Sequence, residues 1–302
     1  AALASAPELY QRHPFGLQRI IAAPPGGVED EGSPVPRDVP AVFLSTMILA
    51  RCITFEGLDK KGEPRVISPP GWIAPAVLSV QSYPREIIRP LRGIIEAPAL
   101  RPDGTVLAAP GYDPATELLL HWQGPAVEVP EHPTRDDARA AFEELAAVFE
   151  DATFAGERRT GLAACVAAVL TPLARAAIRG PVPAFMWEAN GAGAGKTTLA
   201  QICGAVVMGR APAVRTLTAN DEENSKHIAG IAKAATPVVL FDNAKVGVEG
   251  GSLEATITAH DRIAPRTLGT NDTPELPWRT TIYVTANDAS YSPDTHQRFV
   301  HV

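Results

Sequence analysis

A glycine-rich stretch, WEANGAGAGKTTL at residues 187–199, constrains the fold of this chain more than any other feature. An apolar run, Ala184–Trp187, leads into it, and an apolar pattern with helical spacing follows as far as Met208. A strand, a glycine-rich turn, a lysine beside a hydroxyl residue and a helix form a cradle for a triphosphate, because successive backbone N–H groups and the helix N-terminus face the anion. The stretch therefore predicts a nucleotide-binding loop.

The loop matches the pattern G-x-x-x-x-G-K-[ST] at Gly195, Lys196 and Thr197, but Asn190 replaces its first glycine. Asparagine is the non-glycine residue that best tolerates a left-handed backbone, so we expect the replacement to be tolerated. Lys196 is predicted to reach the terminal phosphates of ATP, and Thr197 to hold Mg²⁺. A chance glycine-rich loop is disfavoured by the flanking strand and helix patterns. The predicted nucleotide-binding residues are Asn190, Gly191, Ala192, Gly193, Ala194, Gly195, Lys196, Thr197 and Thr198.

Length and composition limit the class of protein. The 302 residues suffice for two domains, and no apolar run approaches the length of a membrane span. The first residues lack the pattern of a signal peptide, and we expect the chain to be a segment of a longer protein. Cys52, Cys165 and Cys203 lack metal-ligand spacing, so we expect buried thiols in a reducing, cytoplasmic protein. A net charge of −7 argues against a surface coated for nucleic acid, but it permits a few basic side chains in a pore.

Proline and glycine concentrate in the first part of the chain and predict short elements there. We expect residues 1–133 to form a small α+β module, with a winged-helix-like arrangement as one candidate. Within it, residues 41–53 favour a helix, and turns at Asp59–Gly62 and Asp103–Gly104 favour β-hairpins.

The remaining chain is predicted to hold a helical lead-in, residues 134–180, and a nucleotide-binding core, residues 181–302. Thr134 is the expected cap of the first lead-in helix. In the core, short apolar runs alternate with helical patterns, which predicts an α/β fold: a parallel sheet with helices on both faces. Ligands of such sheets bind at the carboxyl ends of the strands, where the polar motifs of this chain fall.

Asp242 follows an apolar run, Val238–Phe241, which predicts a central strand with a carboxylate at its end. A carboxylate at that place can hold Mg²⁺ through water, and this completes the predicted metal site of Thr197 and Asp242. A strand that ends in a plain Asp-Asn turn is the alternative.

Asn243 lies where many ATPases of this type carry a glutamate that activates water, so this chain has no catalytic base at that position. Either the base lies elsewhere or hydrolysis is slow. Glu222, Glu223 and Glu188 are candidates, and Glu223 is the first choice by analogy with RecA-like ATPases that place this glutamate on a neighbouring strand end. Glu222 and Glu223 equally suit a helix N-terminus, and Lys226 is expected to form a surface pair with Glu223 or to face the γ-phosphate.

Two further residues lie near the end of the chain. Asn287 ends a predicted strand beside that of Asp242, where its amide can position the attacking water. Arg298 precedes the strand-like FVHV and can supply positive charge to the transferring phosphoryl group, within one chain or to a neighbouring subunit. An ordinary surface arginine is the alternative.

Four motifs, GAGAGKTT, VVLFDN, TIYVTAND and SPDTHQR, together resemble the ATPase core of phage- and plasmid-type primase–helicase proteins, which belong with superfamily-three helicases in the AAA+ group. The family's strand-end asparagine and Asp-x-x-x-Arg element fall on Asn287 and on Asp294 to Arg298. The segment LRGIIEAPALRPDGTVLAAPGYDPATELLL is also similar, except that Glu117 stands where we expect glycine. The resemblance implies a ring, a hexamer, with ATP and Mg²⁺ at subunit interfaces and DNA in the central pore.

The same resemblance points to a hairpin before the Asn287 strand as a DNA-contacting element. The sequence predicts its turn at Gly269–Pro274, with Arg262 and Arg266 at its base, and Lys245 lies in the loop after the Asp242 strand. The tip carries Asn271 and Asp272 instead of lysine, so a hairpin that only packs subunits, or an Arg266 that reaches a neighbour's phosphate, is an equal alternative.

The leading interpretation is an ATP-dependent DNA helicase or translocase module of a mobile-element replication protein. The second is a nucleotide-gated assembly or defence module with little unwinding, which the missing glutamate and the acidic charge favour. A small-molecule P-loop kinase is the third, and the absence of an arginine-rich lid pattern disfavours it.

Overall fold

The computed structural model describes residues 9–26, 31–50, 55–80, 82–122, 124, 128–130, 132–191, 193–244, 251–265, 275–287 and 293–302. The chain divides into two compact units, residues 1–92 and 93–302. The division into 1–133, 134–180 and 181–302 stays a prediction. Among the described residues, no helix has both the length and the apolar character needed to cross a membrane.

The first unit mixes small sheets with two short helices. Its elements are β1 (Leu9–Arg12), β2 (Gly16–Ala22), β3 (Pro34–Asp38), α1 (Ala41–Ala50), β4 (Phe55–Leu58), β5 (Pro64–Ile67), α2 (Ile73–Leu78) and β6 (Arg89–Pro90). The order β3-β2-β1-β6 makes a four-stranded sheet, in which only the β1–β6 pair is parallel. Leu9, Leu44 and Ile88 form the centre of its apolar core.

The predicted β4–β5 hairpin is confirmed. The Asp59 carboxylate accepts hydrogen bonds from the backbone N–H groups of Lys61 and Glu63, and this stabilises the turn. The predicted helix at 41–53 is found as α1, while residues 51–54 lie outside the described residues.

The second unit begins with short strands. They are β7 (Gly93–Ile95), β8 (Ala99–Leu100), β9 (Val106–Leu107), β10 (Gly111–Asp113) and β11 (Leu118–Leu120). The predicted hairpin around Asp103–Gly104 is confirmed as the β8–β9 pair. Glu117, where glycine was expected, has a φ of 59° and is buried, so this turn requires the left-handed backbone that glycine adopts most readily.

Two helices follow, α3 (Arg135–Ala147) and α4 (Arg158–Leu173). Thr134 caps α3 as predicted, in a reciprocal box: its hydroxyl accepts from the Asp137 N–H, and the Asp137 carboxylate accepts from the Thr134 N–H. The Arg158 guanidinium donates to the carbonyl oxygens of Phe149, Glu150 and Ala152, which joins the chain after α3 to the start of α4.

The core carries the remaining elements. They are β12 (Ala184–Ala189), α5 (Lys196–Met208), β13 (Val214–Arg215), α6 (Asp221–Ala234), β14 (Val238–Ala244), α7 (Gly251–Ile257), β15 (Arg262–Ile263), β16 (Leu276–Pro277), β17 (Thr281–Asn287), α8 (Pro293–His296) and β18 (Phe299–His301). The order β13-β14-β17-β12-β18 makes a five-stranded, all-parallel sheet flanked by helices, which confirms the predicted α/β sheet. Because β17 lies between β12 and β14, its carboxyl end separates the loop after β12 from Asp242.

An aromatic cluster joins this sheet to the helices. Trp187 on β12 and Tyr283 on β17 have ring centroids 5.0 Å apart, and the Tyr283 hydroxyl donates to the Ala168 carbonyl of α4 at 2.6 Å. Cys165 and Cys203 are buried free thiols beside this cluster, as predicted, and Cys52 lies outside the described residues. The cluster fixes α4 and α5 against the strand from which the glycine-rich loop departs.

Candidate nucleotide-binding site

The glycine-rich loop connects the end of β12 to the start of α5, as the sequence predicts. Gly193 and Gly195 have φ angles of 81° and 78°, which is the left-handed region where a side chain is disfavoured. Asn190 is not among the described non-glycine residues with positive φ, so its place in the loop does not use the left-handed backbone that asparagine tolerates. Ala192 lies outside the described residues.

Lys196 begins α5 and is held by two neutral oxygens. Its ammonium donates to the Gly191 carbonyl at 2.8 Å and to Asn287 Oδ1 at 2.7 Å. No carboxylate of the described residues lies within salt-bridge distance of it. A half-buried cation at a helix N-terminus without a counter-ion is a site that attracts an anion, because the helix dipole and the free N–H groups add to the positive potential.

Thr197 and Asp242 are in direct contact. The Thr197 hydroxyl donates to Asp242 Oδ1 at 2.6 Å, and the Thr285 hydroxyl donates to the same oxygen at 2.6 Å. Hydroxyl and carboxylate oxygens are the ligands that Mg²⁺ prefers, and the carboxylate lies next to the helix that Lys196 begins. The donor set therefore fits a Mg²⁺ ion that accompanies a triphosphate, with Thr197 and Asp242 as its protein contacts.

Thr285 is a member of the site whose role the sequence did not indicate. It is 1% exposed, and its hydroxyl also accepts from the Asn243 N–H at 2.8 Å. This contact lies where the register between β14 and β17 shifts, between Phe241 and Ala244. A threonine within an apolar strand is usually a packing residue, and the only available signal was its position two residues before Asn287.

Asn243 has a left-handed backbone with a φ of 53°. Its Oδ1 accepts from Asn287 Nδ2 at 3.1 Å. The structure thus joins Lys196, Asn287 and Asn243 in one hydrogen-bonded chain, at the carboxyl ends of adjacent strands.

The three candidate catalytic bases lie on two elements, Glu222 and Glu223 on α6 and Glu188 on β12. Asn220 caps α6, its side chain accepting from the Glu222 N–H, and Glu223 is exposed in the first turn of that helix. Among the described residues, no side-chain hydrogen bond or ion pair joins Glu223 to the site. Lys226 forms the expected surface pair, but with Glu222 at 3.9 Å in place of Glu223. Glu188 is half-buried near the end of β12.

Arg298 lies at the amino ends of the strands, whereas the glycine-rich loop lies at their carboxyl ends. Its carbonyl accepts from the Ala184 N–H at the start of β12, whereas the loop follows the end of that strand, roughly 16 Å away at 3.3 Å per residue. The Arg298 guanidinium is bonded to the Asp294 carboxylate, and this raises the pKa of Arg298. The backbone of Arg298 therefore lies away from the glycine-rich loop of its own chain.

The structure describes the base of the predicted hairpin, where β15 pairs with β16. Arg262 on β15 lies opposite Pro277 on the antiparallel β16, and its guanidinium is 3.6 Å from the Glu275 carboxylate. The rest of the hairpin, with Arg266, Asn271 and Asp272, and Lys245 of the other loop lie outside the described residues.

Comparison with known proteins leaves the family open. No family model matches the chain, and no curated protein matches it. Among solved structures, the chain is similar to the SCCmec type IV Cch active helicase, with 12% sequence identity and a TM-score of 0.40 over 98% of this chain. The chain covers 58% of that protein's length. Similarity at this level is too low to assign a function.

Proposed function

We propose that the chain is the ATPase module of an ATP-dependent DNA helicase or translocase from a phage or plasmid replication protein. The observation that carries the proposal is Lys196, a cation at a helix N-terminus that neutral oxygens hold and no described carboxylate neutralises. A triphosphate is the anion that this loop sequence fits, and Asp242 lies one hydrogen bond from the next residue of the loop.

The proposed roles of Lys196, Thr197, Asp242 and Asn287 rest on their contacts, and that of Glu223 rests on analogy. Lys196 exchanges its two neutral acceptors for phosphate oxygens. Thr197 and Asp242 hold Mg²⁺, which when bound neutralises charge on the triphosphate. Asn287, released from Lys196, offers its Oδ1 to the attacking water, and Glu223 is our first candidate for the base.

Assembly into a ring, a hexamer, is part of the proposal, and the position of Arg298 supports a site shared between subunits. Arg298 lies at the amino ends of the strands, far from the glycine-rich loop of its own chain, so in this proposal it reaches a phosphate that is bound to another chain. The proposed site therefore lies between subunits. DNA would pass through the pore of this ring, where a few basic side chains such as Arg262 and Arg266 contact it despite the net charge of −7.

The proposal is tested by the ATPase rate of the purified chain, with and without single-stranded DNA. We expect hydrolysis that DNA stimulates and that Lys196→Ala abolishes, whereas Lys233→Ala, which removes an exposed lysine of α6, keeps it. DNA affinity should fall steeply with salt, because phosphate contacts release counter-ions. Hydrolysis that Lys196→Ala leaves intact would contradict the proposal.

The second candidate is a nucleotide-gated assembly module that unwinds little DNA. It is favoured by Asn243, which cannot act as a general base in place of the expected glutamate. This candidate predicts oligomers that form with ATP and hydrolysis that DNA does not change.

A further inference from the structure

We propose that Asn243 is a positioning residue, which holds the Asn287 carboxamide with its oxygen toward the glycine-rich loop. The contact itself is seen in the structure; its catalytic consequence rests on the proposed function.

The orientation of the two amides follows from the chemistry of Lys196. An ammonium group only donates hydrogen bonds, so Asn287 must present Oδ1 to it. The Asn287 NH₂ group then points to Asn243, which must accept through its own Oδ1, at 3.1 Å. Asn243 is therefore needed as an acceptor, and no proton donation or abstraction by its side chain is involved.

The backbone of Asn243 is built for this contact. Its φ of 53° is left-handed, a conformation that asparagine, aspartate and glycine adopt most readily, and its N–H donates to the buried Thr285 hydroxyl. The hydrogen bond to Thr285 ties Asn243 to β17, the same strand that carries Asn287. The two asparagines are thus held in a fixed relation across the shift in strand register.

The consequence appears when a phosphate draws Lys196 away from Asn287. Without Asn243, the Asn287 amide can rotate and present its NH₂ group to the loop. The NH₂ group is a donor and cannot accept a hydrogen bond from the attacking water. With Asn243 in place, the oxygen stays toward the phosphate. Asn243, which replaces the expected glutamate, therefore determines which end of the Asn287 carboxamide faces the attacking water.

The test is the solvent-exchange rate of side-chain amide protons by NMR, in the 302-residue chain labelled with ¹⁵N-asparagine and without nucleotide. The chain has six asparagines, so the Asn287 signal is assigned by its loss in Asn287→Ala. We compare Asn243→Gly, which suits the left-handed backbone and lacks the acceptor, with Asn243→Asp, which suits it and keeps the acceptor. Asn220→Ser, at the cap of α6, is the matched control.

We expect exchange at Asn287 to be about fivefold faster in Asn243→Gly, as for the loss of one hydrogen bond, and unchanged in Asn243→Asp and Asn220→Ser. No acceleration in Asn243→Gly, or equal acceleration in Asn243→Asp, would overturn the proposal. In the hydrolysing protein, Asn243→Gly should lower kcat about fivefold with KM unchanged, and should have no added effect on top of Asn287→Ala. If the wild-type chain hydrolyses no ATP, the proposed function fails while the exchange rates still decide the role of Asn243.

Discussion

The Thr285 hydroxyl makes two hydrogen bonds within the site, and removing them tests how much these bonds stabilise the fold. Replacement of Thr285 by valine keeps the shape and deletes two hydrogen bonds, one to the Asp242 carboxylate and one from the Asn243 N–H. A hydrogen bond to a charged group contributes about 1.5 to 3 kcal/mol and a neutral one about 1 kcal/mol, so we expect Thr285→Val to lower the free energy of unfolding by about 2.5 to 4 kcal/mol. For the second unit, residues 93–302, that loss lowers Tm by roughly 5 to 16 °C, at about 2 to 4 °C per kcal/mol.

The same strand offers the control. Thr281 is 0% exposed, and its Oγ1 has no hydrogen-bond partner among the described residues. Thr281→Val removes a buried hydroxyl that makes no bond, so its Tm should stay within about 2 °C of the wild type or rise. Thermal unfolding followed by circular dichroism measures both variants. Equal destabilisation by the two substitutions would refute the assigned contacts of Thr285.

Three other outcomes are expected. Lys196→Ala and Arg298→Ala should each abolish hydrolysis alone, and mixing the two proteins should restore part of it, because a site between subunits takes Lys196 from one chain and Arg298 from the other; activity that mixing does not restore speaks against the interface. Thr134→Ala should raise hydrogen exchange of the α3 amides about fivefold, since a cap contributes about 1 kcal/mol and no α3 residue is buried; unchanged exchange would show that the cap is dispensable. Burial lowers the pKa of His301 below its ordinary 6.5, so the unfolded chain takes up the proton first and stability falls as pH drops below about 6.5; His301→Phe should lose less Tm than the wild type between pH 7 and pH 5.5, and equal losses would contradict the assignment.

The loop and the sheet were predictable because local patterns determine them. Anion binding by this kind of loop requires a strand, a glycine-rich turn, a lysine and a helix in this order, so the loop can be recognised from the sequence. The alternation of apolar runs with helical patterns leaves few arrangements other than a parallel sheet. The hairpin turns and the cap at Thr134 were predictable for the same reason, since one or two side chains bond their own backbone there.

The contacts between strands were not predictable in this way. Which asparagine bonds to which depends on the strand order and on the register shift between β14 and β17, and these are set by packing over the whole sheet. The left-handed backbone of Asn243 is another feature that the sequence did not indicate. Thr285 and Arg298 show the same limit. The contacts of Thr285 depend on that register shift, and the distance of Arg298 from the loop depends on which end of β12 it adjoins.

The most direct test of the central claim, that Lys196, Thr197 and Asp242 form a triphosphate site, is the affinity for ATP by calorimetry, with and without Mg²⁺. The account predicts that the wild type binds more tightly with Mg²⁺, that Asp242→Asn loses this gain, and that Lys196→Ala binds neither form. An affinity that Mg²⁺ leaves unchanged in the wild type, or Lys196→Ala binding as tightly as the wild type, would contradict it.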